Sequence, residues 1–182
     1  RPQFFYSWFG LVKLGVVVAF INTQVSGKPL VHALQSTAAR AVVVGEECLA
    51  NLLGTQGLPD VPLWLVNDAL NPFGGELPAI VDIDFEQHVA AAPATVFARD
   101  VRAAITAETT TLLIFTSGTT GLPKAARYSH MRWMSSGDVM EVTLGATSDD
   151  VFYSCLPLYN VAAVTSVAST ALRAGADMVV RR

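Results

Sequence analysis

Cysteine is nearly absent from this chain, with two in 182 residues, Cys48 and Cys155. They lie far apart, form no CxxC pair and have no histidine set nearby, which argues against a disulfide framework and a cysteine-ligated metal centre. They read as reduced thiols of a cytosolic compartment. Charge is sparse as well: 15% of residues are charged and the net charge is −3 at pH 7. Such a balance gives no global attraction for nucleic acid or anionic lipid, so any anion site must be local. Long apolar runs are also missing. The longest, Leu14 to Ile21, falls well short of the roughly 20 residues that a membrane-crossing helix needs. The chain opens at Arg1-Pro2, with no Met and no signal-like basic, apolar and cleavage-site sequence.

What is plentiful is apolar surface, 52% of the residues, enough for a sizeable core in a chain of one-domain length. Apolar segments of helical and strand character alternate. Pro2 opens a helix carrying Phe4, Phe5, Trp8, Phe9, Leu11 and Val12, with a stop at Gly15. Val16 to Ile21 reads as a strand covered on both faces, ending at Asn22-Thr23. Lys28 to Ala38 is a helix, Arg40 to Val44 a strand, Glu46 to Leu53 a helix and Val61 to Val66 a strand. This order predicts an α/β fold with alternating helices and mostly parallel strands. His32, among the apolar residues of the second helix, reads as a packing residue.

From 67 to 110 the pattern weakens into an irregular connector, broken by Asn71-Pro72, Gly74-Gly75, Pro78 and Pro93, with a short helix predicted from Asp84 to Ala91. It does not divide the chain into two domains. Further on, Ser129 stands at a helix N-cap position, and the helix runs to about Leu144 before Gly145; His130, in its first turn, reads as structural. Val151 to Leu156 is a strand that turns at Pro157-Leu158-Tyr159-Asn160. A helix from Val161 to Ala174 and a strand from Ala176 to Val180 follow.

The most informative stretch is Thr111 to Lys124. A buried strand, Leu112 to Phe115, stops in a loop of hydroxyl residues, glycine, proline and lysine. Thr116, Ser117, Thr119 and Thr120 supply hydroxyls, Gly118 and Gly121 let backbone N–H groups approach a ligand, and Lys124 supplies an ammonium. This chemistry suits phosphate. The Gly-Lys-Ser/Thr ending of a Walker A loop is missing, because Pro123 precedes Lys124 and Ala125 follows it; the Gly-x-Gly of a dinucleotide fingerprint is missing too. In a parallel sheet ligands collect at the carboxyl ends of strands, so this loop and the Pro157 to Asn160 turn are expected to share a crevice.

The run Phe115-Thr116-Ser117-Gly118-Thr119-Thr120-Gly121-Leu122-Pro123-Lys124 resembles the AMP-binding motif of the adenylate-forming superfamily, which includes acyl-CoA synthetases, luciferases and peptide-synthetase adenylation domains. Asn22 with its neighbours, the Leu30 to Ala39 segment and Cys155-Leu156-Pro157-Leu158-Tyr159 resemble the branch of fatty-acid transport proteins and very-long-chain acyl-CoA synthetases. The resemblance implies that residues 1–182 are part of a large N-terminal domain whose start and later portion lie outside this chain, together with the adenine, ribose, Mg²⁺ and catalytic-lysine sites. On its own, the chain is then expected to be inactive.

The resemblance further implies ATP, Mg²⁺ and coenzyme A as the molecules used, with a fatty acid as acyl substrate. Thr116, Ser117, Gly118, Thr119, Thr120, Gly121 and Lys124 would bind nucleotide, with Lys124 as phosphate charge donor and no protein-held metal; Tyr159 and Asn160 would lie at the acyl pocket. Asn160 departs from the family, where a histidine is usual, and Val161-Ala162-Ala163 replaces the glycines that follow. A titratable group is thereby lost. Three functions stay open: a fatty acid–CoA ligase, a ligase for another carboxylic acid, or a non-catalytic protein of fatty-acid uptake. Its expected location is the cytoplasm or the cytosolic face of a membrane, with any attachment in segments outside the chain.

Overall fold

The computed structural model describes residues 2–67, 77–116 and 122–180. They form α1 (Pro2–Lys13), β1 (Val18–Phe20), α2 (Gly27–Ser36), β2 (Val42–Gly45), α3 (Leu49–Leu53), β3 (Leu63–Val66), β4 (Ile83–Asp84), α4 (Phe85–Ala91), β5 (Thr110–Thr116), β6 (Lys124–Ser129), α5 (His130–Leu144), β7 (Val151–Ser154), α6 (Ser169–Ala174) and β8 (Asp177–Val180). The alternation expected from the sequence is therefore present. The chain divides into two compact units, one of residues 1–22, 99–116 and 124–182, the other of 23–98 and 117–123.

In the first unit β5 pairs in parallel with β1, Leu112 opposite Val18, and antiparallel with β6. β6 is the antiparallel member of the mostly parallel strands expected, because only a short loop joins β5 to β6 and a parallel return needs a crossover of a dozen or more residues. Along this pair Thr110 faces Ser129 and Leu112 faces Tyr128, so the register shifts at Thr111. The extra residue forms a bulge.

Leu112 and Ile114 of β5 are fully buried with Trp8, Phe20, Tyr128, Val164 and Ala168. Aromatic rings dominate this core. Trp8 meets Phe20 edge-on at 5.1 Å between ring centres and Trp133 at 5.2 Å, a geometry favoured by the ring quadrupoles. The remaining strands, β7 and β8, form a separate parallel pair with Val151 opposite Asp177.

The second unit carries its own parallel sheet in the order β2-β3-β4. Leu63 and Leu65 of β3 are buried, as are Leu30, Ala33 and Leu34 of α2 and Leu49 and Leu52 of α3. The N-terminus of α2 borrows its cap: Gly27 N–H donates to Thr55 Oγ1 at 2.7 Å, and that hydroxyl donates to Asn51 O at 2.6 Å. The sequence read Glu46 to Leu53 as one helix, whereas Glu46–Cys48 is a 3₁₀ turn leading into α3. Within the stretch read as irregular, the short helix expected from Asp84 to Ala91 is present as α4, capped by Asp84, whose side chain accepts from Gln87 N, and β4 precedes it.

Helix ends follow the punctuation in the sequence. Gly15 and Gly145 adopt φ of 77° and 63°, the left-handed conformation that glycine enters without a Cβ penalty. Within α5, Gly137 has a different purpose. A Cβ there would stand 2.4 Å from Ser169 Oγ and 2.7 Å from Ser169 O, so the absence of a side chain lets α5 lie against α6.

Gly10 and Gly137 therefore give opposite expectations. Nothing lies within 4 Å of a Cβ built on Gly10, so Gly10→Ala should stabilise by about 0.5–1 kcal/mol through helix propensity. Gly137→Ala should destabilise by about 1–3 kcal/mol because the backbone of α6 must move. Denaturation midpoints check both, and equal shifts for the two variants would contradict this account of the helix contact.

Candidate functional site

β5 ends at Thr116 and β6 begins at Lys124, and these two residues face each other in the ladder. The pair closes the loop at its base, with Thr116 Oγ1 directed at Lys124 O, 3.5 Å away. Both side chains are exposed, and among the described residues Lys124 has no ion pair. Ser117, Gly118, Thr119, Thr120 and Gly121 lie outside the described residues.

The N-terminus of α5 is a possible competing anion site, since its first N–H groups lack helical partners. They are already taken. His130 N–H donates to Thr109 O at 3.1 Å, Met131 N–H to Ala107 O at 2.8 Å, and Arg132 N–H to the N-cap Ser129 Oγ at 3.2 Å. Arg132 is engaged as well, its guanidinium 4.2 Å from the centre of the Tyr128 ring and donating to Arg127 O. At the base of the loop, the Lys124 ammonium is thus exposed beside the Thr116 hydroxyl.

Tyr159 and Asn160 follow β7. Tyr159 is half-buried and packs against the aromatic core that holds Leu112 and Ile114. Asn160 is a helix cap: its Oδ1 accepts from Ala162 N at 2.9 Å, and its own N–H donates to Pro157 O at 2.8 Å. The sequence did not suggest this role, although asparagine before a helix is among the favoured cap residues. The helix it starts contains a π segment, Ala163–Ala168. Trp133 braces that segment from α5, with its Nε1–H donating to Val164 O at 2.8 Å while Ser169 Oγ donates back to Trp133 O at 2.9 Å.

The shared crevice expected for the two loops involves residues outside the described set, and β5 and β7 belong to different sheets. His32, read as packing only, has a polar partner: its Nε2 lies 3.1 Å from Pro123 O, at the end of the loop. No signal in the sequence links residues 91 positions apart. Among the described residues no three His, Cys, Asp or Glu side chains are grouped to hold a metal ion. No described helix is long and apolar enough to cross a membrane.

Strand-bounded loop, alternating α/β elements and motif together define the class, that of adenylate-forming domains. The family model described as AMP-binding enzyme matches residues 1–182, and the chain belongs to this family. It is 35% identical over 188 residues to long-chain fatty acid transport protein 6 of Homo sapiens, covering 100% of this chain and 28% of that protein. With human long-chain fatty acid transport protein 5 the identity is 39% over 158 residues, covering 85% and 22%. The chain thus spans about a quarter of the length of these relatives. In fold it is similar to the anthranilate CoA ligase AuaEII, solved in complex with anthranoyl-AMP, at a TM-score of 0.84 and 24% identity, covering 100% of this chain and 33% of that one.

Two measurements probe the local roles. Asn160→Ala should cost about 1 kcal/mol of stability and Asn160→Asp only a few tenths, because aspartate keeps the cap; equal losses would remove Asn160 from the capping role. Partial burial lowers the His130 imidazole pKa below its ordinary 6.5. The neutral form is then favoured in the folded state, so the contribution is complete above about pH 6.5 and fades as pH falls through the depressed folded value. Stability should decline on acidification from about pH 7 to 5, less steeply in His130→Gln. Identical slopes would contradict it.

Proposed function

We propose that the protein containing this chain couples ATP to the activation of a long- or very-long-chain fatty acid, forming first an acyl-adenylate and then acyl-CoA. The chain would be part of the large N-terminal domain of that enzyme, working in the cytoplasm or at the cytosolic face of a membrane. The observation that carries the reading is the β5–β6 register, which sets Thr116 and Lys124 opposite each other at the base of a hydroxyl- and glycine-rich loop. The fatty acid transport proteins to which the chain is similar support the choice of acid.

In the first half-reaction the substrate carboxylate attacks the α-phosphate of ATP and pyrophosphate leaves. In the second, the thiol of coenzyme A displaces AMP. Both nucleophiles come from substrates, so the chain's task is to hold phosphates and offset their charge. Lys124 supplies the cation and Thr116, Ser117, Thr119 and Thr120 the hydroxyls, with backbone N–H groups at Gly118 and Gly121. Mg²⁺ bound to ATP would neutralise further phosphate charge. The acyl group is assigned to the side of Tyr159 and Asn160, where the cap fixes the start of the π-containing helix.

Pyrophosphate exchange by the full-length protein, with ATP, Mg²⁺ and acids from acetate through very long chains plus one aryl acid, tests this reading. Exchange should peak with long fatty acids, and Lys124→Ala should lower kcat/KM roughly 10- to 100-fold. A preference for the aryl acid would overturn the substrate assignment, and silence with every acid would overturn the enzymatic one.

A further inference from the structure

The helix that follows Asn160 contains one turn wider than the rest. Val164 O accepts from Ser169 N–H, the hydrogen bond of a π turn. The same oxygen accepts a second bond from outside the helix, from Trp133 Nε1–H at 2.8 Å. A π turn holds one residue more than an α turn, so its relaxation to α would carry side chains round the helix axis by one position, about 100°. The indole bond fixes Val164 O in the direction that the wide turn gives it.

Trp133 is itself anchored on two sides. Ser169 Oγ donates to its carbonyl at 2.9 Å, and its ring lies 5.2 Å from that of Trp8 and 6.2 Å from that of Phe9. The two residues after Val164, Thr165 and Ser166, line an open groove together with Ser135, Ser136 and Met140 of α5. Its volume of about 440 Å³ is in the range of small-molecule sites. Hydroxyls beside apolar surface suit a molecule with one polar end and an apolar body, as a fatty acid has. All of these residues lie in the first unit.

We infer that Trp133 is a positioning residue for acid binding: through its hydrogen bond to Val164 O it holds the π turn in the register that presents Thr165 and Ser166 to the groove along α5. The inference rests on the assignment of the acyl group to the side of this helix. It predicts an effect on the acid that does not extend to ATP, because the β5–β6 pair takes no part in the contact.

The test uses the full-length protein. Trp133→Phe keeps an aromatic ring without the donor, and replacement of Trp133 by its benzothienyl analogue, with sulfur in place of the N–H, keeps the shape as well. Trp8→Phe is the control, a change in the same aromatic cluster that leaves the indole bond in place. Equilibrium binding of palmitate is measured first, then the KM values for palmitate and for ATP in pyrophosphate exchange. Both Trp133 changes should weaken palmitate binding and raise its KM roughly threefold to tenfold, the factor that loss of one hydrogen bond sets. The KM for ATP should stay within about twofold, and Trp8→Phe should move neither.

Equal changes in both KM values, or a rise for palmitate as large in Trp8→Phe, would reduce Trp133 to a core residue and overturn the inference. So would unchanged palmitate binding in the benzothienyl protein, which decides alone if Trp133→Phe fails to fold. A parent protein that binds palmitate but exchanges no pyrophosphate would sink the ligase reading while leaving the binding ratios to judge Trp133. A parent that binds no palmitate sinks both.

Discussion

A strand with buried residues at its centre must satisfy its backbone on both edges, and β5 does so with a parallel neighbour on one side and an antiparallel one on the other. Much of the first unit depends on that constraint. Leu112 and Ile114 can be withdrawn from water because β1 and β6 take their N–H and C=O groups, and the aromatic residues of α1 can then close over them. The antiparallel return also fixes where the chain leaves and re-enters the sheet. Thr116 and Lys124 face each other for that reason, and a polar loop can be mounted on an apolar strand without exposing the strand's core.

Where α5 meets α6, specific small contacts hold the helices together. Gly137 admits Ser169, and the Trp133 indole and the Ser169 hydroxyl exchange hydrogen bonds with backbone carbonyls across the α5–α6 contact. The π segment therefore has an external brace for a carbonyl in its first turn, Val164 O. Such widened turns are uncommon and often found near functional sites. Here it follows the Asn160 cap, which sets where the helix begins. Arg173 joins the same contact through Asp138 and Glu141, but these groups are largely exposed and screened, so they add little to stability.

Features encoded locally were legible in the sequence. Gly15 and Gly145 announced helix ends, Ser129 a helix start, and the abrupt change from Leu112–Phe115 to hydroxyls and glycines a strand ending in a loop. Features set by partners distant in the chain were not. The separate sheets depend on which strands find one another, and the hydrogen bond of His32 on a carbonyl 91 residues away. Asn160 shows the boundary between the two. Its cap is a local pattern, yet a departure from the family's usual histidine drew attention to lost titration and away from the backbone N–H two residues on. Of the phosphate-binding residues read from the motif, Thr116 and Lys124 can be followed into the structure as a facing pair.

Amide hydrogen exchange of the full-length protein, with and without ATP and Mg²⁺, tests most directly whether the β5–β6 connection receives nucleotide phosphates. Peptides spanning residues 116–124 should gain protection when ATP is added, and Lys124→Ala should diminish that gain at a fixed nucleotide concentration. Protection confined to other parts of the chain, with 116–124 unchanged at saturating ATP, would contradict the assignment of the loop as the phosphate clasp.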